Sequence, residues 1–371
     1  MRRPSGSRLR ARLAIVPRAA ARLVATAGRR RRPAHPRSIL VAHSLLLGDT
    51  LMLAALFAGL RARHPDAAIT ATVAPTLLPL FAGRPYGVRA VAYDPRAPAA
   101  HRALAAADGY DLALVPGDNR HALLAHAVGA RWTVALAADR PQWKNAIVDE
   151  LIPLPARPTA LADLFAALAG GPPSRPYARG DWPAPPCAPF DPPQAPYAVL
   201  HVGAGSPLRL WAPGKWREVA AAVAARGLQP VWSAGPGEAD LVRAIDPEAR
   251  FASYAGTLDL AQLWRLLEAA RLLVTLDTGV LHLAKLTVTP TVALFGPGSP
   301  VLFGPGEYWR DNPFRAVTVD PFPCRDQRTV FKRELDWVRR CQRSTAQCPA
   351  PRCMEAIETA MVVRALAELL S

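Results

Sequence analysis

Residues 272–298 read LLVTLDTGVLHLAKLTVTPTVALFGPG. Leu272–Leu276 is an uncharged apolar run, the pattern of a strand buried on both faces. Asp277-Thr278-Gly279 breaks it, and Val280–Leu286 resumes with helical spacing until Pro290 stops it. Thr291–Phe295 is a second buried strand, ending at Gly296-Pro297-Gly298. The unit is strand–turn–helix–strand, with polar and glycine residues where the strand meets the helix. In open α/β sheets that position binds ligands, because helix N-termini offer free N–H groups to anions. Asp277 and Thr278 equally suit a plain helix cap, and three residues alone do not choose between the two.

Outward from this unit the same alternation recurs. Ile39–Ala42, Ala68–Val73, Val88–Tyr93, Leu112–Val115 and Arg131–Ala135 read as strands. Thr50–Arg63, Leu104–Ala107 and His121–Val128 read as helices between them. Short apolar strands alternating with helices imply parallel strands joined by right-handed crossovers, so residues 38–170 form one Rossmann-like domain. Gly170–Pro196 holds ten prolines and cannot be helix or central strand, so residues 171–196 are read as an interdomain connection. The alternation restarts with strands Tyr197–Val202 and Gln229–Ser233, and with helices Lys215–Arg226, Ala239–Ile245 and Leu260–Ala270. Residues 197–322 are the second domain. The expected class is α/β of the GT-B kind, two Rossmann-like domains with parallel sheets facing an interdomain cleft.

The chain has 371 residues, enough for two domains, and is 51% hydrophobic, so large cores are available. Its formal charge is +16, but residues 1–37 hold 12 Arg and no acid, leaving +4 for the rest. The basic signal belongs to a tail rather than to a binding face, and no aromatic–basic interleaving points to nucleic acid. The tail's apolar runs are too short for a signal peptide or a membrane span, and no other run is long enough, so a soluble cytoplasmic protein is expected. The tail either lies on the anionic inner face of the membrane or is disordered, and disorder is the expectation.

The motifs resemble those of glycosyltransferase family 9, the ADP-heptose:lipopolysaccharide heptosyltransferases. Leu45-Leu-Leu-Gly-Asp49 after the first strand resembles its SSLGD-type element. His201-Val-Gly-Ala-Gly-Ser206 with Arg209-Leu-Trp211 resembles its strand–turn with K-x-W. Asp277-Thr-Gly-Val-Leu-His-Leu-Ala284 followed by Pro290-Thr-Val-Ala-Leu-Phe-Gly-Pro297 is similar to its DTGxxHLA…PTVALFGP signature. The resemblance covers residues 38–320. It implies inverting transfer of a sugar, heptose from ADP-heptose, onto a lipopolysaccharide-core-type acceptor, an anionic lipid-linked saccharide. Peripheral contact with the inner membrane and no cofactor beyond the nucleotide sugar follow.

Glycosyl transfer needs a base for the acceptor hydroxyl and charge stabilisation on the departing diphosphate. No Asp-x-Asp occurs, which favours neutralisation by protein groups rather than a metal. Arg209 is a bidentate candidate, standing where the family usually has Lys. Ser206, Asp277, Thr278 and Gly279 would form the donor turn, with His282 on the first helical turn. Glu238 falls where the family places a nucleotide-binding acid, on the ribose hydroxyls. Asp49 is the candidate general base, its other reading being a helix cap. Around it the chain departs from the pattern: the usual Arg is His43, and the two serines are Leu45 and Leu46. The alternatives are a family relative with another sugar or envelope acceptor, or an inert nucleotide-binding homologue.

Residues 323–371 form a basic, Cys-containing segment with a terminal helix, Ala356–Leu370. Cys324, Cys341, Cys348 and Cys353 could complete a structural zinc site, although their spacing is loose beside paired C-x2-C knuckles. Lys332, Arg333, Arg339, Arg340 and Arg343 with Trp337 read as one basic face for an anionic acceptor, or as a solvated charged helix.

Overall fold

The computed structural model describes residues 6–97, 100–104, 109–171 and 175–371, with side chains from residue 14 and excluding that of residue 100. The chain divides into two compact units. The first comprises residues 1–157, 162–175 and 329–336; the second comprises residues 158–161, 176–328 and 337–371.

Unit 1 is built on six strands: β1 (Ser38–Val41), β2 (Ala68–Val73), β3 (Arg89–Ala92), β4 (Tyr110–Val115), β5 (Ala130–Leu136) and β6 (Glu150–Ile152). They pair in parallel in the order β3-β2-β1-β4-β5-β6. This order reverses direction at β1, so β1 and β4 border the switch point, where the loops at their carboxyl ends diverge. β1 and β4 are apolar and almost wholly buried because helices cover both faces. Those helices are α1 (Gly6–Ala25), α2 (Leu47–Met52), α3 (Ala54–Arg63), α4 (Ala122–Ala127) and α5 (Leu161–Ala167). The expected single helix Thr50–Arg63 is two helices, broken at Leu53, whose N–H bonds Thr50 O with a tighter three-residue spacing. The helix expected over Leu104–Ala107 falls, beyond Leu104, outside the described residues.

The expectation of a disordered tail over residues 1–37 is corrected by α1, which packs against α4 with Ala19 buried. Beyond it, Arg30 makes a bidentate pair with Asp149, both bonds 2.6 Å, and Arg32 pairs with Glu150 at the sheet edge. Arginines that read as loose charge in the sequence are thus partly consumed by acids of the sheet. Residues 1–5 of that tail lie outside the described residues.

Unit 2 holds β7 (Tyr197–His201), β8 (Gln229–Ser233), β9 (Leu272–Leu276), β10 (Thr291–Leu294) and β11 (Phe314–Val317), parallel in the order β11-β10-β9-β7-β8. The switch point here is between β7 and β9. Helices α6 (Pro213–Ala224), α7 (Ala239–Ile245), α8 (Leu260–Ala269), α9 (Gly279–Thr287), α10 (Pro300–Phe303), α11 (Arg352–Glu355) and α12 (Thr359–Leu370) complete it. Trp211, Trp216, Trp232, Val274, Leu294 and Leu366 belong to one core between sheet and helices. The terminal helix, expected from Ala356, begins at Thr359, because residues 356–358 form the turn between α11 and α12.

The proline-rich stretch is not a free tether throughout. From Pro176 it belongs to unit 2, where Tyr177 is buried, donates to Leu286 O at 2.7 Å and stacks edge-on to Tyr308. Residues 172–174 lie outside the described residues. A short antiparallel hairpin, Thr329–Val330 with Arg333–Glu334, belongs to unit 1 although it lies far along the chain. Among the described residues no helix is long and apolar enough to cross a membrane.

Candidate functional site

In unit 2 the carboxyl ends of β7 and β9 carry the donor-site candidates. β7 ends at His201, and a tight turn, Pro207–Arg209, follows, with the Ser206 hydroxyl accepting from Leu208 N–H at 3.3 Å. The turn sends Arg209 across the switch point. Its Nη1 donates to the backbone carbonyl of Asp277 at 2.6 Å and stands 3.8 Å from the Asp277 carboxylate. Thr278 caps α9, its hydroxyl accepting from Val280 N–H at 3.2 Å, and Gly279 opens the helix. Asp277 itself is not the cap. Its Oδ2 is buried without a hydrogen bond, and a Cβ on Gly298 would collide with that oxygen. Glycine at 298 is therefore what lets the β10 loop approach the carboxylate.

His282, four residues into α9, is buried, and its Nδ1 has no partner. Burial, together with the nearby charges of Lys285 and Arg209, holds His282 well below the ordinary histidine range, so it is neutral at physiological pH. Burial raises the Asp277 carboxyl, against the pull of Arg209, Arg340 and Lys285. Lys285 is buried behind the helix, donating to the carbonyls of Phe303 (2.7 Å) and Gly304 (2.6 Å). The structure thus gathers Arg209, Asp277, Thr278, Gly279 and His282, with Ser206 shaping the turn. The cluster has one part-exposed guanidinium, a helix N-terminus and an unpartnered neutral imidazole. Such a set suits a diphosphate.

Glu238 lies in the loop after β8. Its Oε1 accepts from Ala204 N–H (3.2 Å) and its Oε2 from Gly235 N–H (2.7 Å), so it clamps the loops after β7 and β8 together. Trp211 works as a strut: its Nε1 donates to Ile357 O at 3.1 Å, and Lys215 donates to Glu355 O and Ile357 O. Those bonds seat the segment leading into α12.

In unit 1, Asp49 lies in the first turn of α2, whose N-cap is Leu46, so Asp49 is not the cap. It lines a cavity of about 230 Å³ with His43, Asp118, His121 and Phe331. His43 is fully buried; its Nδ1 accepts from Leu45 N–H at 3.2 Å, which leaves the ring proton on Nε2, and Nε2 has no partner. Burial, with His121 adding to it, lowers its pKa to about 3.

Sequence reasoning missed the ionic network beneath this cavity. Lys144, wholly buried, bridges Asp118 (2.9 Å) and buried Asp139 (3.0 Å). Asn119 N–H donates to the second Asp139 oxygen at 2.7 Å. Arg333, from the distant hairpin, donates to Asn119 Oδ1 (2.6 Å) and Ala137 O (2.9 Å), 3.7 Å from Asp139. Burial opposes the Asp118 carboxylate, but the Arg120 amide and Lys144 hold it below the usual range. Asp139 and Lys144 carry no sequence signal of burial, and only the fold shows them buried, while neighbouring Arg140 stays exposed.

The single basic face expected from residues 332–343 is corrected. Arg333 is buried in unit 1, whereas Arg343 belongs to unit 2, bidentate with Asp326. Arg340, also of unit 2, stacks 5.4 Å over the Phe303 ring and adds to the positive field on Asp277. The cysteines 324, 341, 348 and 353 are free thiols. Burial, with Cys324 and Cys341 nearby, pushes Cys353 up to about 11. Among the described residues no group of three or more His, Cys, Asp or Glu side chains is placed to hold a metal ion, so the zinc reading has no support.

Comparison with known proteins bears on family and fold. The family model described as "Glycosyltransferase family 9 (heptosyltransferase)" matches residues 106–333. Lipopolysaccharide heptosyltransferase 3 of Escherichia coli is 30% identical over 139 residues, 36% of this chain and 40% of that protein. Lipopolysaccharide heptosyltransferase 1 of Pseudomonas aeruginosa is 32% identical over 114 residues, 30% of this chain and 32% of that protein. The chain therefore matches less than half the length of these curated relatives. Among solved structures, E. coli ADP-heptose lipopolysaccharide heptosyltransferase II superposes with a TM-score of 0.65 at 21% identity, covering 90% of this chain and 98% of that one. E. coli heptosyltransferase WaaC, solved with ADP-2-deoxy-2-fluoro heptose, gives 0.59 at 18% identity, over 75% and 92%. These share the fold, two parallel α/β sheets of the GT-B class. With its signature segments seated at the β7–β9 switch point and well over half its length matched by one family model, the chain belongs to glycosyltransferase family 9, the heptosyltransferase family.

Proposed function

We propose that the chain is an inverting glycosyltransferase that moves heptose from ADP-heptose to a hydroxyl of a lipopolysaccharide-type acceptor. The carrying observation is the switch-point cluster: Arg209 fastened to Asp277 at the N-terminus of α9, with neutral His282 behind it. A leaving diphosphate gains negative charge in the transition state. Arg209 and the free N–H groups of α9 would stabilise it, in a site whose groups are already oriented. His282, held neutral by burial, would offer its unpartnered Nδ1 to the same phosphates or to the sugar without adding charge. Glu238 would act by holding the two glycine-containing loops at the pocket wall. It would not need to touch ribose, since both its oxygens already accept backbone N–H bonds. The E. coli WaaC structure with a fluorinated ADP-heptose supports the choice of donor.

Asp49 would take the proton of the attacking hydroxyl, in one displacement without a covalent intermediate. Its place in the 230 Å³ cavity beside His43 supports that role. The protein would act on the cytoplasmic side of the membrane, where nucleotide sugars are held. The test is Asp49→Ala assayed for ADP release from ADP-heptose. Loss of turnover by about 10²–10⁴ with unchanged nucleotide affinity is expected, the range for removing a general base. Full turnover in the variant, or none in the parent protein, overturns the assignment.

A further inference from the structure

The hairpin Thr329–Val330 with Arg333–Glu334 is an excursion of the chain, which leaves unit 2 after Arg328, folds into unit 1 and returns at Trp337. Its two turn residues, Phe331 (φ 46°) and Lys332 (φ 64°), are both left-handed. Two-residue hairpin turns of that kind ordinarily take Asn or Gly, because a Cβ is crowded at positive φ. A bulky aromatic residue held there is strained, and such strain persists where the surroundings over-determine it, commonly at a functional site.

Here the over-determining group is Arg333. Its buried guanidinium donates through Nη1 to Phe331 O (3.2 Å), through Nη2 to Asn119 Oδ1 (2.6 Å) and Leu136 O (3.2 Å), and through Nε to Ala137 O (2.9 Å). One side chain thus fastens the hairpin tip to the end of β5 and to the loop after β4. The Phe331 ring packs against buried Phe165 of α5, with centroids 6.0 Å apart and planes tilted by 31°, and stays half-buried. It also lines the 230 Å³ cavity whose walls include His43, Asp49, Asp118 and His121. A pyranose offers an apolar C–H face and a rim of hydroxyls. An aromatic ring complements the first, and a carboxylate with a buried donor complements the second. Phe331 is the one phenyl ring among the residues lining the cavity, and His43 Nε2–H is a buried donor without an acceptor. Nearby Arg120 keeps a buried Nε–H without an acceptor, in keeping with an anionic saccharide.

We propose that Phe331 is a specificity-determining residue: the acceptor's sugar ring stacks on it, which turns the attacking hydroxyl toward Asp49. Arg333 is the positioning residue that holds the ring in place. This rests on the transferase reading and names the side chain that selects its acceptor. A residue far along the chain, outside every motif of the family resemblance, thereby becomes part of the general-base site.

The experiment measures transfer from ADP-heptose to an acyl-free lipopolysaccharide core oligosaccharide by the full chain, with calorimetry of the same oligosaccharide and of ADP. Phe331→Leu should raise KM for the oligosaccharide roughly two- to twelvefold, the range for an aromatic contact beyond its buried area, and Phe331→Ala at least as much. Phe331→Tyr should keep the parent KM, and ADP affinity should be unchanged in all three. Leucine still fills the site with hydrocarbon, so a ring that only packs would tolerate it. Arg333→Met should raise KM likewise and add little to Phe331→Ala in the double variant, because it acts through the ring. Should Arg333→Met fail to fold, the Phe331 series decides alone. Turnover with a parent-like KM in Phe331→Leu overturns this proposal alone. Ring-dependent binding of the oligosaccharide without turnover overturns the transferase reading beneath it. Neither binding nor turnover overturns both.

Discussion

Replacing Lys144 by methionine probes the least visible part of the acceptor-side architecture. Its ammonium group is wholly buried and bonded at 2.9 and 3.0 Å to two carboxylates, one of them, Asp139, equally buried. Methionine keeps the volume and removes the charge. Asp139 then retains the Asn119 N–H at 2.7 Å and Arg333 at 3.7 Å but loses its closest cation. Breaking a buried pair by removing one partner costs about 3–5 kcal/mol, and the residual Arg333 charge places this case near the lower end. For a unit of this size, about 3 kcal/mol lowers the midpoint of thermal unfolding by roughly 6–12 °C. The assay is thermal unfolding followed by circular dichroism, with Lys144→Met/Asp139→Asn as the companion. The double variant removes the Lys144–Asp139 pair together, leaving buried Arg333 with Asp118 as its remaining carboxylate, and should recover part of the loss. A single-variant cost below about 1 kcal/mol, or a double variant no more stable than the single, would refute the reasoning, which ranks uncompensated charge above lost packing.

Two further outcomes follow from the geometry. Gly298→Ala places a methyl group against the Asp277 carboxylate and should cost about 1–3 kcal/mol by overpacking, with weaker nucleotide binding as Asp277 and its Arg209 anchor shift; unchanged urea midpoint and ADP affinity would contradict this. Stability should fall as pH drops from about 6.5, because His43, His121, His126, His201 and His282 all have folded values below the ordinary one, with His43 at about 3 and His201 at about 4. The unfolded chain then binds more protons, so stability is fully present above 6.5 and is lost progressively toward the folded values. Asp277, raised by burial, works in the opposite direction but is a single group. A urea midpoint at pH 5 equal to or above that at pH 7 would contradict the sign.

What the sequence disclosed and what it hid follow a physical division. The strand–turn–helix at 272–287 was legible because a buried parallel strand is an unbroken apolar run and a helix start needs a capping oxygen; Leu272–Leu276 and Thr278 meet both requirements. That Arg209 and Asp277 belong to one site was legible only through the family resemblance, and the bond between them was not, since 68 residues separate them and no local pattern joins them. Arg333 was misread as surface because charged residues in a loop carry no periodicity that reports burial; its partners, Asn119 and Asp139, lie about two hundred residues away. α1 was misread because its arginines outweighed a modest apolar stripe, and the acids that answer Arg30 and Arg32 beyond it, Asp149 and Glu150, lie 119 and 118 residues away. Glu238 was placed in the correct loop, but the bonds it makes to Ala204 and Gly235 depend on how two turns meet.

The central claim is that the β7–β9 switch point binds the diphosphate of an adenine nucleotide sugar. Calorimetry of ADP, UDP, GDP and CMP against the full chain without added metal, with Arg209→Ala alongside, tests it most directly. The account predicts selective ADP binding that weakens about tenfold or more in Arg209→Ala, the value of a hydrogen bond to a charged group. Binding of none of the four nucleotides, or ADP affinity indifferent to Arg209, would contradict it.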